Sequence, residues 1–204
     1  MIENLISFSI ASLFLALSPG PDNIYVIAQS LANGIKSGIA TTAGLVAGCI
    51  VHTSLLAFGV SAIITRSETI FYGIKVLGAL YLLYLAYKIF KSDSHISLID
   101  KAPKKSNFQL FKQGVIMNIV NPKVMIFFLA FFPGFLWNET EGTVLQFYIL
   151  GITFMIVAFL AFSALAILAG SVSSYLLKHK STGLVLKWLQ IVVFIGIAIF
   201  ILIP

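Results

Sequence analysis

Long apolar runs separated by short polar stretches set the layout of this 204-residue chain. The runs cover about 4–31, 39–65, 69–87, 113–137, part of 143–177, and 184–203. Each approaches or exceeds the ~20 residues that cross a bilayer as a helix. A transmembrane β-barrel would instead alternate over segments of ~10 residues. The pattern therefore predicts an all-α membrane protein with six transmembrane helices. Two runs are interrupted. The first carries Ser18-Pro19-Gly20-Pro21-Asp22-Asn23, and the other Asn118-Ile119-Val120-Asn121-Pro122-Lys123. Proline removes a backbone donor and clashes with the preceding turn, and glycine adds freedom. Helices 1 and 4 are thus expected to break at Pro19, Gly20 and Pro21, and at Pro122.

Composition agrees with this layout. Hydrophobic residues make up 59% of the chain and charged residues 10%, where a soluble domain has about a quarter charged. Mean hydropathy is +1.04. The formal charge of +6 lies mostly in loop lysines, so it reports topology rather than nucleic-acid binding. A polar linker, about 88–112, holds Lys91, Lys101, Lys104 and Lys105 with Asp93 and Asp100. Placing it in the cytoplasm puts Lys36, Lys178, Lys180 and Lys187 on the same side. Glu3, Arg66, Glu68, Glu139 and Glu141 then face outward, with Lys75 reaching the outer interface. Both termini fall outside, in a bacterial inner membrane. Glu3 and the absence of Lys or Arg in the first residues argue against a signal peptide. The single cysteine, Cys49, allows neither an internal disulfide nor a CxxC site. No cofactor is implied.

The linker divides one membrane domain, 1–204, into a first repeat of about 1–90 and a second of about 113–204. Three spans per half give the halves opposite orientations. Pro21 is followed by Gly34, and Pro122 by Gly134, at similar spacing. Inverted repeats with broken helices are a mark of secondary transporters, whose site lies where the breaks meet.

Asp22 and Lys123 are the deep charges. A carboxylate at the centre of a bilayer costs roughly 2.5–3.5 kcal/mol to insert. Asp22 should therefore face a cavity, pair, or take up a proton, although it could also cap the second half-helix. Lys123 could meet a substrate carboxylate, hold Asp22 in an ion pair between turnovers, or form a permanent structural bridge. Asn23, Asn118 and Asn121 add donors and acceptors, with structural hydrogen bonds as the plainer role. The interrupted helices offer amide ends to anions and carbonyl ends to cations, which suits a zwitterion. His52 is either a pathway residue or an interhelical hydrogen-bonding group. Gly34-x-x-x-Gly38 and Gly44-x-x-x-Gly48 permit close helix contact. No HExxH, GxSxG or CxxC motif suggests an enzyme. Cys, His and Asp are too few for a convincing metal site.

With these residues in view, the chain resembles the LysE/RhtB family of bacterial amino-acid exporters over nearly its whole length. The likeness rests on Ser18-Pro19-Gly20-Pro21-Asp22, on Gly44-x-x-x-Gly48 with His52, and on the run from Gly78 to Leu85. It also rests on Gly114-x-x-x-Asn118-x-x-Asn121-Pro122-Lys123, followed by Phe127-Phe128 and Phe131-Phe132-Pro133. It departs at Trp188-Leu189-Gln190, where the family usually has a glycine. The resemblance implies proton- or potential-driven efflux of amino acids or close analogues, often by a homodimer. The wider superfamily includes metal-ion exporters, which is the alternative reading.

Overall fold

The computed structural model describes residues 1–18, 20–64, 67–91, 104–138, 141–169, 171 and 180–202. Pro19 lies outside the described residues, as do Arg66, Asp93, Asp100, Lys101, Glu139 and Lys178. Among the described residues the regular structure is entirely helical: α1 (Ile2–Leu17), α2 (Pro21–Asn33), α3 (Ile35–Leu55), α4 (Ser61–Ile64), α5 (Glu68–Lys91), α6 (Asn107–Ile119), α7 (Pro122–Phe131), α8 (Thr143–Ile167) and α9 (Lys180–Leu202). A π-helical turn, Leu56–Val60, joins α3 to α4, and a 3₁₀ turn, Phe132–Phe135, extends α7.

Three of these stretches are long and apolar enough to cross a bilayer: Ile35–Ile63, Thr69–Lys91 and Thr143–Ile167. The pairs α1–α2 and α6–α7 each bend sharply, by 63° and 56°, and the count becomes five if each bent pair is one span. Lys187–Leu202, where a sixth span was expected, is apolar over a shorter length. Ile6, Ile10, Leu77, Leu80, Ile152 and Ile156 point outward and are more than half exposed, as suits a surface against lipid.

The bent pairs run in opposite directions. Asn4 Nδ2 donates to the Phe135 carbonyl (3.3 Å), and Phe8 packs on Phe131, Phe132 and Phe135. At the other end of α1, past its break, Asp22 meets Asn121. Around the end of α7, Phe8, Phe127, Phe128, Phe131, Phe132 and Phe154 form one buried aromatic mass. Ring centroids there lie as close as 4.1 Å, between Phe128 and Phe132. Between helices in lipid, such contacts stabilise through dispersion and fit rather than by leaving water.

Helix α3 is central and packs on α2, α6 and α8. Its contact with α6 brings backbone against backbone. A Cβ on Gly44 would overlap the Phe111 carbonyl, and one on Gly114 would come within 2.5 Å of the Thr41 oxygen. Gly38 packs against Ser30 and Ala166, and Gly48 against Asn118. Gly34 does not serve close contact. It has φ +88° and open space around it, so it provides the left-handed turn from α2 into α3.

The helix ends depart from the hydrophobic pattern at the linker. Helix α6 begins at Asn107, and its first turns take in Lys112, a stretch read above as linker. The reason is a capping box: Gln109 N donates to Ser106 Oγ (3.3 Å), and Ser106 N donates to Gln109 Oε1 (2.9 Å). Helix α5 likewise runs on to Lys91.

Candidate functional site

Each break positions its polar residues through its own capping chemistry. Asn121 caps α7: its Oδ1 accepts from Lys123 N (3.0 Å), and Pro122 takes the first helical position, where no amide is needed. Pro21 opens α2 in the same way, with Asp22 in the first turn, where the helix dipole favours a carboxylate. Asn23 Nδ2 reaches back to the Ala16 carbonyl (2.8 Å). That bond satisfies one of the acceptors left open where α1 ends.

One bond joins the two breaks: Asn121 Nδ2 donates to Asp22 Oδ2 (2.9 Å). Asp22 Oδ1 is buried and has no hydrogen-bond partner. Asp22, Asn23, Cys49, Asn118 and Lys123 line a common cavity of about 40 Å³. Asp22 and Lys123 face that cavity without bonding to each other, so the structural bridge considered from sequence is not formed here. The Lys123 ammonium instead lies 5.0 Å from the centre of the Phe194 ring, a cation–π contact that holds it from the α9 side.

His52 stands behind the cavity wall rather than on it. Its Nε2 lies 3.1 Å from the Asn118 carbonyl. A carbonyl can only accept, so Nε2 carries the proton and donates. The Asn118 carbonyl also accepts from Asn121 N (3.1 Å), and Asn118 Nδ2 donates to Cys49 Sγ (3.5 Å). His52 thus braces the end of α6, while the buried Asn118 Oδ1 is left without a partner. Among the described residues no group of three His, Cys, Asp or Glu side chains comes together.

Sequence reasoning missed the third wall. Phe154, Ala158 and Phe162 of α8 line the cavity, and only their i, i+4, i+8 spacing in a charge-free run could have pointed to them. It also missed Gln146, which is 3% exposed at the acidic end of the bundle. Its Oε1 accepts from Trp137 N (2.8 Å) and Asn138 N (3.1 Å). Its Nε2 donates to the carbonyls of Asn138 (2.7 Å) and Glu141 (2.9 Å). Gln146→Leu strands four backbone groups and should destabilise the protein by about 2 kcal/mol or more. A thermal melt in detergent checks this; an unchanged midpoint would show that the four bonds are replaced by solvent.

These features define a helical membrane protein built around a small polar cavity. The chain belongs to the LysE type translocator family, whose description matches residues 13–204. It is 30% identical over 174 residues to a homoserine/homoserine lactone efflux protein of Salmonella typhimurium, covering 85% of this chain and 84% of that one. It is 29% identical over 202 residues to leucine efflux proteins of Salmonella choleraesuis and Salmonella paratyphi A, covering 97% of this chain and 93% of each. No solved structure matches the chain significantly.

Proposed function

We propose that the protein is a secondary exporter of neutral amino acids or close analogues, driven by protons, in a bacterial cytoplasmic membrane. The observation that carries this reading is the shared cavity, where Asp22 and Lys123 stand apart at the starts of two opposed half-helices. A substrate carboxylate would meet the Lys123 ammonium, and its ammonium would meet Asp22 Oδ1 and Asn118 Oδ1. Asp22 is the one carboxylate lining the cavity, which leaves nothing to neutralise a second positive charge on a basic amino acid. The names of the relatives, which speak of leucine, homoserine and its lactone, fit the same restriction.

The bent pairs and the linker suit two inverted three-helix repeats, six spans in all. The lysine-rich end, with Lys36, Lys105 and Lys112, is then cytoplasmic and both termini lie outside. The cavity of about 40 Å³ holds a few waters, whereas a benzene-sized guest needs about 150 Å³. Cargo therefore enters only when the half-helices separate, and proton uptake by Asp22 from outside would release it and reset the carrier.

Counterflow into proteoliposomes tests the reading. Leucine or homoserine should exchange and lysine should not, and an imposed proton gradient should drive accumulation. Exchange of lysine alone would overturn the neutral-cargo assignment. Flux insensitive to the gradient would mark a passive channel.

A further inference from the structure

Below the cavity, toward the lysine-rich end, the same helix faces continue. On α2 the face passes from Asp22 through Val26 to Gln29 and Ser30. On α3 it passes from Cys49 through Leu45 to Thr42 and Gly38. The two helices touch there, since a Cβ on Gly38 would collide with Ser30 Oγ.

Directly beneath the cavity lies a small apolar cluster of Val26, Leu45 and Ala166, with Phe162 packed on it. Leu45 and Phe162 belong to the cavity wall as well, so this cluster is a single layer thick. In the opposite direction the cavity is backed by the aromatic mass around Phe128, Phe132 and Phe154.

Beyond the thin layer the chemistry turns polar again. Gln29 is 0% exposed; its Oε1 accepts from Asn33 Nδ2 (2.8 Å), while its Nε2 has no hydrogen-bond partner. Ser30 Oγ and Thr42 Oγ1 are buried and equally unpartnered. A serine or threonine hydroxyl in a helix can turn to the carbonyl one turn back, and Ser12 and Thr53 elsewhere are in the same position. A glutamine amide has no such local refuge, and leaving one unpaired in a protein interior is costly enough to be rare. Gln29 therefore carries the argument, and Ser30 and Thr42 surround it with two further donors.

We propose that Gln29, Ser30 and Thr42 form a second polar station, which receives the carboxylate of an amino acid before it passes the Val26–Leu45–Phe162 layer into the cavity. All three side chains offer N–H or O–H groups, so the station favours an acceptor-rich, anionic group. The step is purely one of binding. It rests on the exporter reading for its direction, with loading from the lysine-rich end.

Thiol labelling tests the station. Ser30→Cys and Thr42→Cys each change few atoms, and a monodisperse gel-filtration profile shows that a variant is folded. Inside-out vesicles, which expose the lysine-rich face, are treated with a membrane-impermeant methanethiosulfonate. The unsubstituted chain with its lone Cys49 serves as baseline. The introduced thiols should react faster than Cys49, should react from that face and not in right-side-out vesicles, and should be slowed by excess leucine or homoserine. No faster labelling from that face, labelling first from the opposite face, or a rate indifferent to both amino acids would overturn the station. Loss of counterflow with labelling and protection intact would count against the exporter reading alone.

Discussion

Asp22→Asn leaves a protein that folds but no longer accumulates amino acid on a proton gradient. Asparagine keeps the shape of the side chain and an oxygen that can accept from Asn121 Nδ2, which lies 2.9 Å from Asp22 Oδ2. It removes the negative charge and the capacity to bind and release a proton. The unpartnered Asp22 Oδ1 faces the cavity, where a substrate ammonium would form a charge-assisted contact. Such contacts contribute about 1.5–3 kcal/mol, which corresponds to roughly 10- to 150-fold in affinity. Gradient-driven uptake in proteoliposomes should fall by at least the lower figure while the thermal midpoint stays close to that of the unsubstituted protein. Undiminished gradient-driven transport by the variant removes Asp22 from the coupling step.

The second large effect is on the fold. Gly114→Ala places a methyl within 2.5 Å of the Thr41 oxygen and 2.7 Å of the Leu45 nitrogen. Both are backbone atoms of α3, so no rotamer change relieves the clash and the helices must part. Overpacking of this kind costs about 3 kcal/mol or more. Separation of α3 from α6 would also pull Asn118 away from Cys49 and His52, opening the cavity wall. Gly73→Ala is the matched control: a Cβ there meets nothing within 4 Å, and alanine favours helix by about 1 kcal/mol. Melting curves in detergent should place Gly114→Ala well below the native protein and Gly73→Ala at or above it. Equal midpoints for the two variants would show that the α3–α6 contact yields without cost.

The helical class of the fold was legible because apolar run length and low charge are properties of composition, independent of tertiary detail. Local end signals were legible too, but only where they were sought. Ser106 and Gln109 carry the start of α6, yet the polar content around them reads as linker if hydropathy alone is followed. Hydropathy also hides Gln146, one polar side chain in a charge-free run, because its value comes from four partners on a neighbouring loop. The α8 wall was invisible for the converse reason: Phe154, Ala158 and Phe162 carry no polar signal, and the cavity they line is defined by other helices. His52 shows the limit for single residues. Its spacing from Cys49 and its place in a span are equally consistent with a pathway ligand and a brace, and only the Asn118 carbonyl 3.1 Å away separates the two. The glycine pairs divide the same way, with Gly34 turning the chain and Gly38, Gly44 and Gly48 lying in close contacts.

The π-helical turn at Leu56–Val60, closed by Ser61 N donating to the Leu56 carbonyl, winds one residue more into its circuit than the α-helix on either side. Each residue advances an α-helix by about 100°. A chain of this kind shortened by one position there would keep its span but swing Ser61–Ile64, and the approach to α5, by that angle. The extra residue therefore sets the azimuth at which the α5–α9 pair docks, and length variation at this point would re-aim half the molecule without altering a single side chain of the cavity.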